Sequence, residues 1–347
     1  MKRYIYLVIL LGLMLLLNSC LTEPSYPPVE PWLCIINADG TGFRKIKKVD
    51  LNFGTTGFWD IYTTKDNRII FYGEKLWISE TDTIRPVSIT DNIYTLQQQP
   101  ARLSQSPDGS KLYFASKDKN IHELDLNTMV SRQLTSESVR TLRNPIVSDL
   151  GNFITYTSHG YGPPSRFTEF LSWMDLRSGD IGYIPTIDSI CVNAFYSESE
   201  DFVYYEGVNV KRSRLDGGEL SLVSTGGSMY PYSTFGVSSD NRYIIHVWDE
   251  YPTLDLKCHD KQTGNSVRFP IKASLDHGYI AKICKDANIV FYAEPGYPDK
   301  LKAYNLDTRI DFSLLKENGS LALFTVYSIA PTWDGTKLYF YADVSDR

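Results

Sequence analysis

Histidine and cysteine are scarce in this chain, and neither clusters. Its 347 residues include five histidines and five cysteines. No C-x-x-C pair occurs, which leaves no sequence basis for a dithiol redox centre or a zinc ribbon. G-x-S-x-G, H-E-x-x-H and a glycine-rich phosphate loop are all missing, so the usual signatures of serine hydrolases, zinc proteases and P-loop enzymes are missing too. His122, His159, His246, His259 and His277 fall on different elements of the pattern described below. Metal ligands must converge on one point, so no metal site, catalytic residue or cofactor is expected. Acidic residues outnumber basic ones, 41 to 35, and the cations read as dispersed. Nucleic acid is therefore not an expected partner.

What the chain has is a repeated hairpin. Leu103-Ser-Gln-Ser-Pro-Asp-Gly-Ser-Lys-Leu-Tyr-Phe-Ala115 is nearly copied in Ile329-Ala-Pro-Thr-Trp-Asp-Gly-Thr-Lys-Leu-Tyr-Phe-Tyr341. Weaker copies centre on Asp66-Asn67, Leu150-Gly151, Glu200-Asp201, Asp240-Asn241 and Asp286-Ala287. Pro107 presets φ, Asp108 can bond its own backbone, and Gly109 takes the left-handed position of the turn. The residues that follow each turn are rich in β-branched and aromatic types and read as strands.

A second hairpin family alternates with the first. Its turns fall at 37–42, 79–83, 125–128, 175–180, 214–218, 260–264 and 305–308. Two hairpins per unit and roughly 45 residues per unit describe a propeller blade. The expected fold is all-β, a seven-bladed β-propeller of four-stranded blades over residues 32–347; six or eight blades are the alternatives. The second family starts before the first and stops before it. Residues 32–47 are thus expected to supply the outer strands of the blade whose inner strands lie at 326–342, which removes an open sheet edge.

The strings Cys34-Ile-Ile-Asn-Ala-Asp-Gly-Thr-Gly-Phe-Arg-Lys-Ile46 and Ile121-His-Glu-Leu-Asp-Leu-Asn-Thr-Met-Val-Ser-Arg-Gln-Leu-Thr135, with the Ser-Pro-Asp-Gly hairpin, resemble the TolB-type, WD-repeat-like propeller repeat. The Trp-Asp pairs at 59–60, 248–249 and 333–334 fall at inconsistent places and are not read as a WD signature. The resemblance implies a bacterial envelope propeller. It transfers little function, because members include partner-binding proteins, protease lid domains and lyases.

The N-terminus reads as an address. Lys2-Arg3, the apolar run Tyr4–Leu17 and Leu17-Asn-Ser-Cys20 have the anatomy of a signal peptide over residues 1–19, ending in a lipobox-like sequence. Cys20 is expected to be the first mature residue and to carry lipid. Residues 20–31 hold four prolines and read as an extended tether. No Asp follows Cys20, which by resemblance to lipoproteins favours the outer membrane. Cys34, Cys191, Cys258 and Cys284 read as buried free thiols.

The expected working surface is a rim of loops. In a propeller the connections between second and third strands and those between blades open on one end of the ring; the two hairpin turns of each blade lie at the other. Three middle connections pair Tyr with Pro or Gly: 158–166 with Tyr161 and Arg166, 249–253 with Tyr251, and 294–300 with Tyr297. Inter-blade connections add Tyr94, Tyr230, Tyr232, Tyr279 beside His277, and Tyr327. Tyrosine offers a broad apolar face with a polar tip at little entropic cost. The expectation is a monomeric, non-catalytic propeller that binds a protein or glycan of the envelope through this rim. The alternative is a glycan-binding or glycan-cleaving propeller of the lyase kind.

Overall fold

The computed structural model describes residues 30–346 apart from 49–57, 74, 80–86, 91–94, 97–98, 101, 163–165, 185–192, 198, 208, 226–234, 239, 251–252, 272, 275–277, 285, 295–298 and 316–320. Cys20 and the expected tether up to residue 29 lie outside that set. The described residues form strands and turns without a helix, in seven four-stranded sheets and two short two-stranded ladders.

Each sheet is an antiparallel meander. The first six blades begin at Phe58, Ser104, Thr141, Asn193, Phe235 and Ala281, and end at Thr90, Gln133, Ile184, Ser224, Pro270 and Ser313. The seventh is assembled from both ends of the chain. Leu321–Pro331 and Lys337–Asp346 are its inner strands; Glu30–Asn37 and Arg44–Lys48 are its outer ones. Trp32 lies opposite Ala342 and Asn37 opposite Lys337, which is the closure expected from the shifted hairpin series.

The inner-hairpin turns share a device finer than the Asp-Gly motif. At Ser106, Ser148, Ser197, Ser238 and Thr332 the side-chain oxygen accepts a hydrogen bond from the backbone N–H five residues on, at 2.8–3.1 Å. Thr64 accepts likewise from the Arg68 amide, four residues on. Ser106, Ser238 and Thr332 also donate to the Asp two residues ahead, at 2.5–2.6 Å, and Thr64 donates to Asp66. One hydroxyl thus ties both arms of the turn and presets the hairpin. Cys284 takes this place in blade six. The Asp carboxylates then accept from the backbone two residues further on, as at Ser110, Arg242 and Thr336. The Ser106 hydroxyl and Ser110 amide hold Asp108 down at about 2. These acids are turn formers first, as their spacing suggests.

Neighbouring blades bury apolar side chains between them, and seven clusters fill the seven interfaces. Strand alternation explains this: successive side chains point to opposite faces of a blade, so every blade feeds two interfaces. Between blades one and two, Ile70 and Leu76 meet Leu112 and Phe114. Between six and seven the cluster is largest, with Phe291, Ala293, Leu301, Cys34, Ile36 and Phe340 at its centre. Between four and five only Tyr204, Val210 and Ile244 are buried members of the cluster among the described residues.

The turns also touch from blade to blade. The Lys65 amide donates to Gln105 Oε1 at 3.0 Å and its ammonium to the Pro107 carbonyl at 2.6 Å. Glu200 reaches back to the Leu150 amide and the Asn152 side chain, from a left-handed φ of 60°. Asp286 N–H donates to the Trp333 carbonyl, and the Trp333 indole donates to the Thr63 carbonyl. Gly335 has φ +70°, and a Cβ there would stand 2.9 Å from Ala287 Cβ. Hydrogen bonds between turns thus cross four of the seven blade junctions at this end, which forms a collar.

Candidate functional site at the loop end of the ring

Opposite the collar lie the middle connections and the inter-blade connections. Two of the three expected middle loops are largely strand. Phe153–Gly162 and Arg166–Asp175 pair to their tips, with Tyr161 opposite Phe167 and Gly162 opposite Arg166. Tyr243–Glu250 and Thr253–Asp260 pair as far as Glu250 and Thr253. The reason is composition: the β-rich alternation of 153–159 and 167–173 continues the ladder outward. Tyr161 and Arg166 therefore sit on the backbone of a hairpin that projects from blade three, rather than in an irregular loop.

Tyr279 is likewise on a short strand, Gly278–Tyr279, paired with Ala273–Ser274 between blades five and six. Tyr94, Tyr230, Tyr232, Tyr251, His277 and Tyr297 lie outside the described residues. The strand ends that flank four of these segments, Ser224 and Phe235, Glu250 and Thr253, Ser274 and Gly278, Glu294 and Lys300, all belong to the loop end. Tyr327 is not in a loop. It lies on the inner strand of blade seven, donates to Asp343 Oδ2 at 2.7 Å and stacks on Tyr341 at 5.0 Å. It packs and closes its own blade because the strand starts earlier, at Leu321, than its turn signals imply.

Inner strands surround the central channel, and three of them are tied together near its loop-end mouth. Lys282, on the inner strand of blade six, reaches past blade seven to Asp60 on blade one, at 3.0 Å. Ser328 of blade seven stands between, donating to Asp60 and accepting from the Ile61 amide. Arg102, just before the inner strand of blade two, lies over the Phe195 ring of blade four at 5.6 Å. Its amide meets Asn144 Oδ1 at 3.4 Å. Asn144 has a left-handed φ of 50° at a register shift between Arg143 and Ile146, so a bulge turns the strand where the channel opens. Sequence reading passes over this group because none of its members belongs to a motif; a Lys, an Asp and a Ser on three separate inner strands meet only through ring closure.

The histidines do not gather there. His122 and His259 lie on third strands, His159 and His246 on second strands. His246 is fully buried at the interface of blades four and five. Its Nδ1 faces the Val247 carbonyl at 3.2 Å and so carries the proton, which leaves Nε2 to accept from Ser224 Oγ at 3.1 Å. Lys257 Nζ donates to the same Ser224 Oγ at 2.9 Å and to the Thr225 carbonyl at 3.1 Å. Burial, with Lys257, His259 and Arg268 nearby, drives His246 down to about 3. A Ser–His–Lys cluster is assembled, but Ser224 is only 4 % exposed, so no substrate carbonyl can approach it. It is a polar seam between blades. Among the described residues no group of three or more His, Cys, Asp or Glu is placed to hold a metal ion. Cys34, Cys258 and Cys284 are free and buried, as expected, and burial pushes the Cys34 thiol up to about 12. Cys191 lies outside the described residues.

Solved structures share this architecture. TolB from Acinetobacter baumannii superposes with a TM-score of 0.52 at 16% identity, over 91% of this chain and 65% of that one. The fold is that of a TolB-type propeller. The chain thus spans about two thirds of that TolB's length. An oligogalacturonate lyase from Vibrio parahaemolyticus matches at TM-score 0.59 and 12% identity over 92% of this chain and 98% of that one. An oligogalacturonate lyase in complex with manganese matches at TM-score 0.56 and 12% identity, over 82% and 88%. No family model matches the sequence, and no curated protein does. At these identities the likeness is one of fold.

Proposed function

We propose that this chain is a lipid-anchored, non-catalytic propeller of the bacterial envelope, held through Cys20 in the outer membrane, that captures a protein or other envelope ligand on its loop end. The supporting observation is the contrast between the two ends of the ring. One is committed to short hairpin turns, four of them built on a hydroxyl–Asp bond. The other carries projecting hairpins, short ladders and the mouth of a polar channel, where variable connections meet on a rigid frame. Tyr161, Arg166, Tyr279 and the tyrosines at 230, 232, 251 and 297 are the proposed contacts, with His277 beside them.

The test is capture from a native cell envelope, read by mass spectrometry. Changing Tyr161, Tyr251 and Tyr297 together to Ala abolishes capture while the fold persists, since anchoring aromatics are each worth more than about 1 kcal/mol. Undiminished capture by a folded triple variant moves the site elsewhere.

A second reading, glycan binding or cleavage, draws on the named activity of the lyase neighbours and on the Lys282–Asp60 pair with Arg102 at the channel mouth. Cations at a channel mouth suit an acidic oligosaccharide. Incubation with oligogalacturonate and manganese, followed for chain cleavage, decides it; turnover that disappears in Lys282→Met favours this reading over capture.

A further inference from the structure

The outermost strand of blade seven, Arg44–Lys48, carries four cations in five residues, Arg44, Lys45, Lys47 and Lys48. The cations are therefore less dispersed than the overall composition suggests. Lys45 lies over the Trp32 ring at 5.3 Å and Lys48 pairs with Glu30 at 2.6 Å, both ion-pair side chains being about half exposed. Lysines on an open sheet edge discourage edge-to-edge pairing, and that suffices for an edge placed anywhere. This edge has a particular place. Lys48 is opposite Trp32, and Glu30 is opposite Val344, so Lys47 and Lys48 lie at the loop end, beside the point where the chain enters the ring. Nine residues, 21–29, separate that point from Cys20, three of them proline. An extended Pro-rich segment covers about 3 Å per residue, which limits the distance from Cys20 to Glu30 to roughly 30 Å.

The turns at the opposite end carry more acids than bases, although Arg177 pairs with Asp175 and Arg242 and Arg309 with Asp260. Asp39, Asp108, Asp125, Asp175, Asp216, Asp240, Asp260 and Asp334 all cap turns there through backbone amides. Their role as turn formers puts them all at one end.

We infer that the loop end faces the bilayer and that the Arg44–Lys48 edge rests on anionic lipid headgroups, with the acidic collar turned away. The inference rests on the anchor at Cys20 proposed above. Three features agree: the tether leaves from the loop end, the cationic strand lies beside its exit, and the collar would be repelled by an anionic surface. Each basic residue near such a surface adds about 1 kcal/mol of attraction, lost beyond a Debye length. The ligand-capturing rim would then work in the gap under the ring, on partners at or in the membrane.

The experiment uses the intact processed protein, purified in detergent and inserted into preformed vesicles of phosphatidylcholine, with or without phosphatidylglycerol. Lysines are labelled with an amine-reactive reagent and quantified by mass spectrometry. Labelling of Lys47 and Lys48 falls several-fold in the phosphatidylglycerol vesicles at low salt and recovers at high salt. Lys65 and Lys337, exposed at the collar, label equally in both. Equal labelling of Lys47 and Lys48 in the two lipids, or protection of Lys65 and Lys337 instead, overturns the orientation. The mass of the N-terminal peptide tests the anchor separately. If Cys20 carries no lipid and the chain is held through residues 4–17, the anchor reading fails. The labelling comparison still decides the orientation, because the chain enters the ring at the same strand.

Discussion

The interface between blades six and seven and the interface between blades four and five are held by different means. The first is apolar and large: Cys34, Ile36, Phe291, Phe340 and Leu338 interlock with no exposed surface worth noting. The second buries three apolar side chains among the described residues, and a polar seam of Ser224, His246 and Lys257 crosses it. A ring needs every interface to close, but these need not be equally strong. The strong one coincides with the blade built from both chain ends, where nothing covalent joins the third strand to the second. Packing there must replace the missing link. The weak one lies mid-chain, between two blades whose four strands each follow one another along the backbone.

The largest effect comes from deleting residues 30–47. This removes Leu33, Cys34, Ile35 and Ile36, all buried, and at about 1.5–3 kcal/mol for each large side chain the loss rivals the whole stability of a domain. No cooperatively melting monomer is expected by circular dichroism and gel filtration. A truncation that melts at the parent temperature breaks the comparison.

Phe340→Ala tests the same interface without removing its strand. The side chain is fully buried, so the cost is about 3–5 kcal/mol, measurable as a lowered urea midpoint. The polar interface should instead respond to acid. His246 titrates near 3 in the folded protein and near 6.5 unfolded. The unfolded chain thus binds the extra proton between those values. Stability is complete above pH 6.5 and declines as pH falls toward 3, by about 1.4 kcal/mol per unit. Between pH 6 and 4.5 this amounts to about 2 kcal/mol. Melting temperatures at the two pH values, compared for parent and His246→Gln, should show the steeper decline in the parent. Equal declines would mean that the seam does not govern acid stability.

The smallest effects should be equal. Thr332→Ala in blade seven and Ser238→Ala in blade five each remove a hydroxyl that accepts a backbone bond and donates to an Asp. Each should cost about 1 kcal/mol, with unchanged denaturant slope. If the blade-five variant is much the worse, the weakness lies within blade five and not between blades.

Hairpins were legible because turns are local chemistry. Asp-Gly and its copies announce the left-handed turn position within four residues, and the shifted order of the two hairpin families disclosed the closing blade. The hydroxyl that opens six of the seven inner turns was visible as Ser or Thr but carries no meaning until its bond to an amide four or five residues on is seen. Tyr161 was misread as loop because a Gly-Tyr-Gly-Pro-Pro string outweighs, locally, strand signals on both sides. The Lys282–Asp60 pair was not legible at all. Its members are 222 residues apart, and no periodicity links them. The Arg44–Lys48 cluster was in plain view, and what gives it meaning is its position beside the chain's entry into the ring.

The closing blade also sets an order of events in time. Strand 30–37 is synthesised ahead of every other described strand, yet its partner, 337–346, is made last. Until then its four apolar residues have nothing to pair with, while six blades can form and dock in sequence behind it. Loop closure over such a separation is slow, so ring completion is the expected slow step. During that interval the unpaired first strand is the segment most open to a chaperone, to a protease, or to the same strand of another unfinished chain.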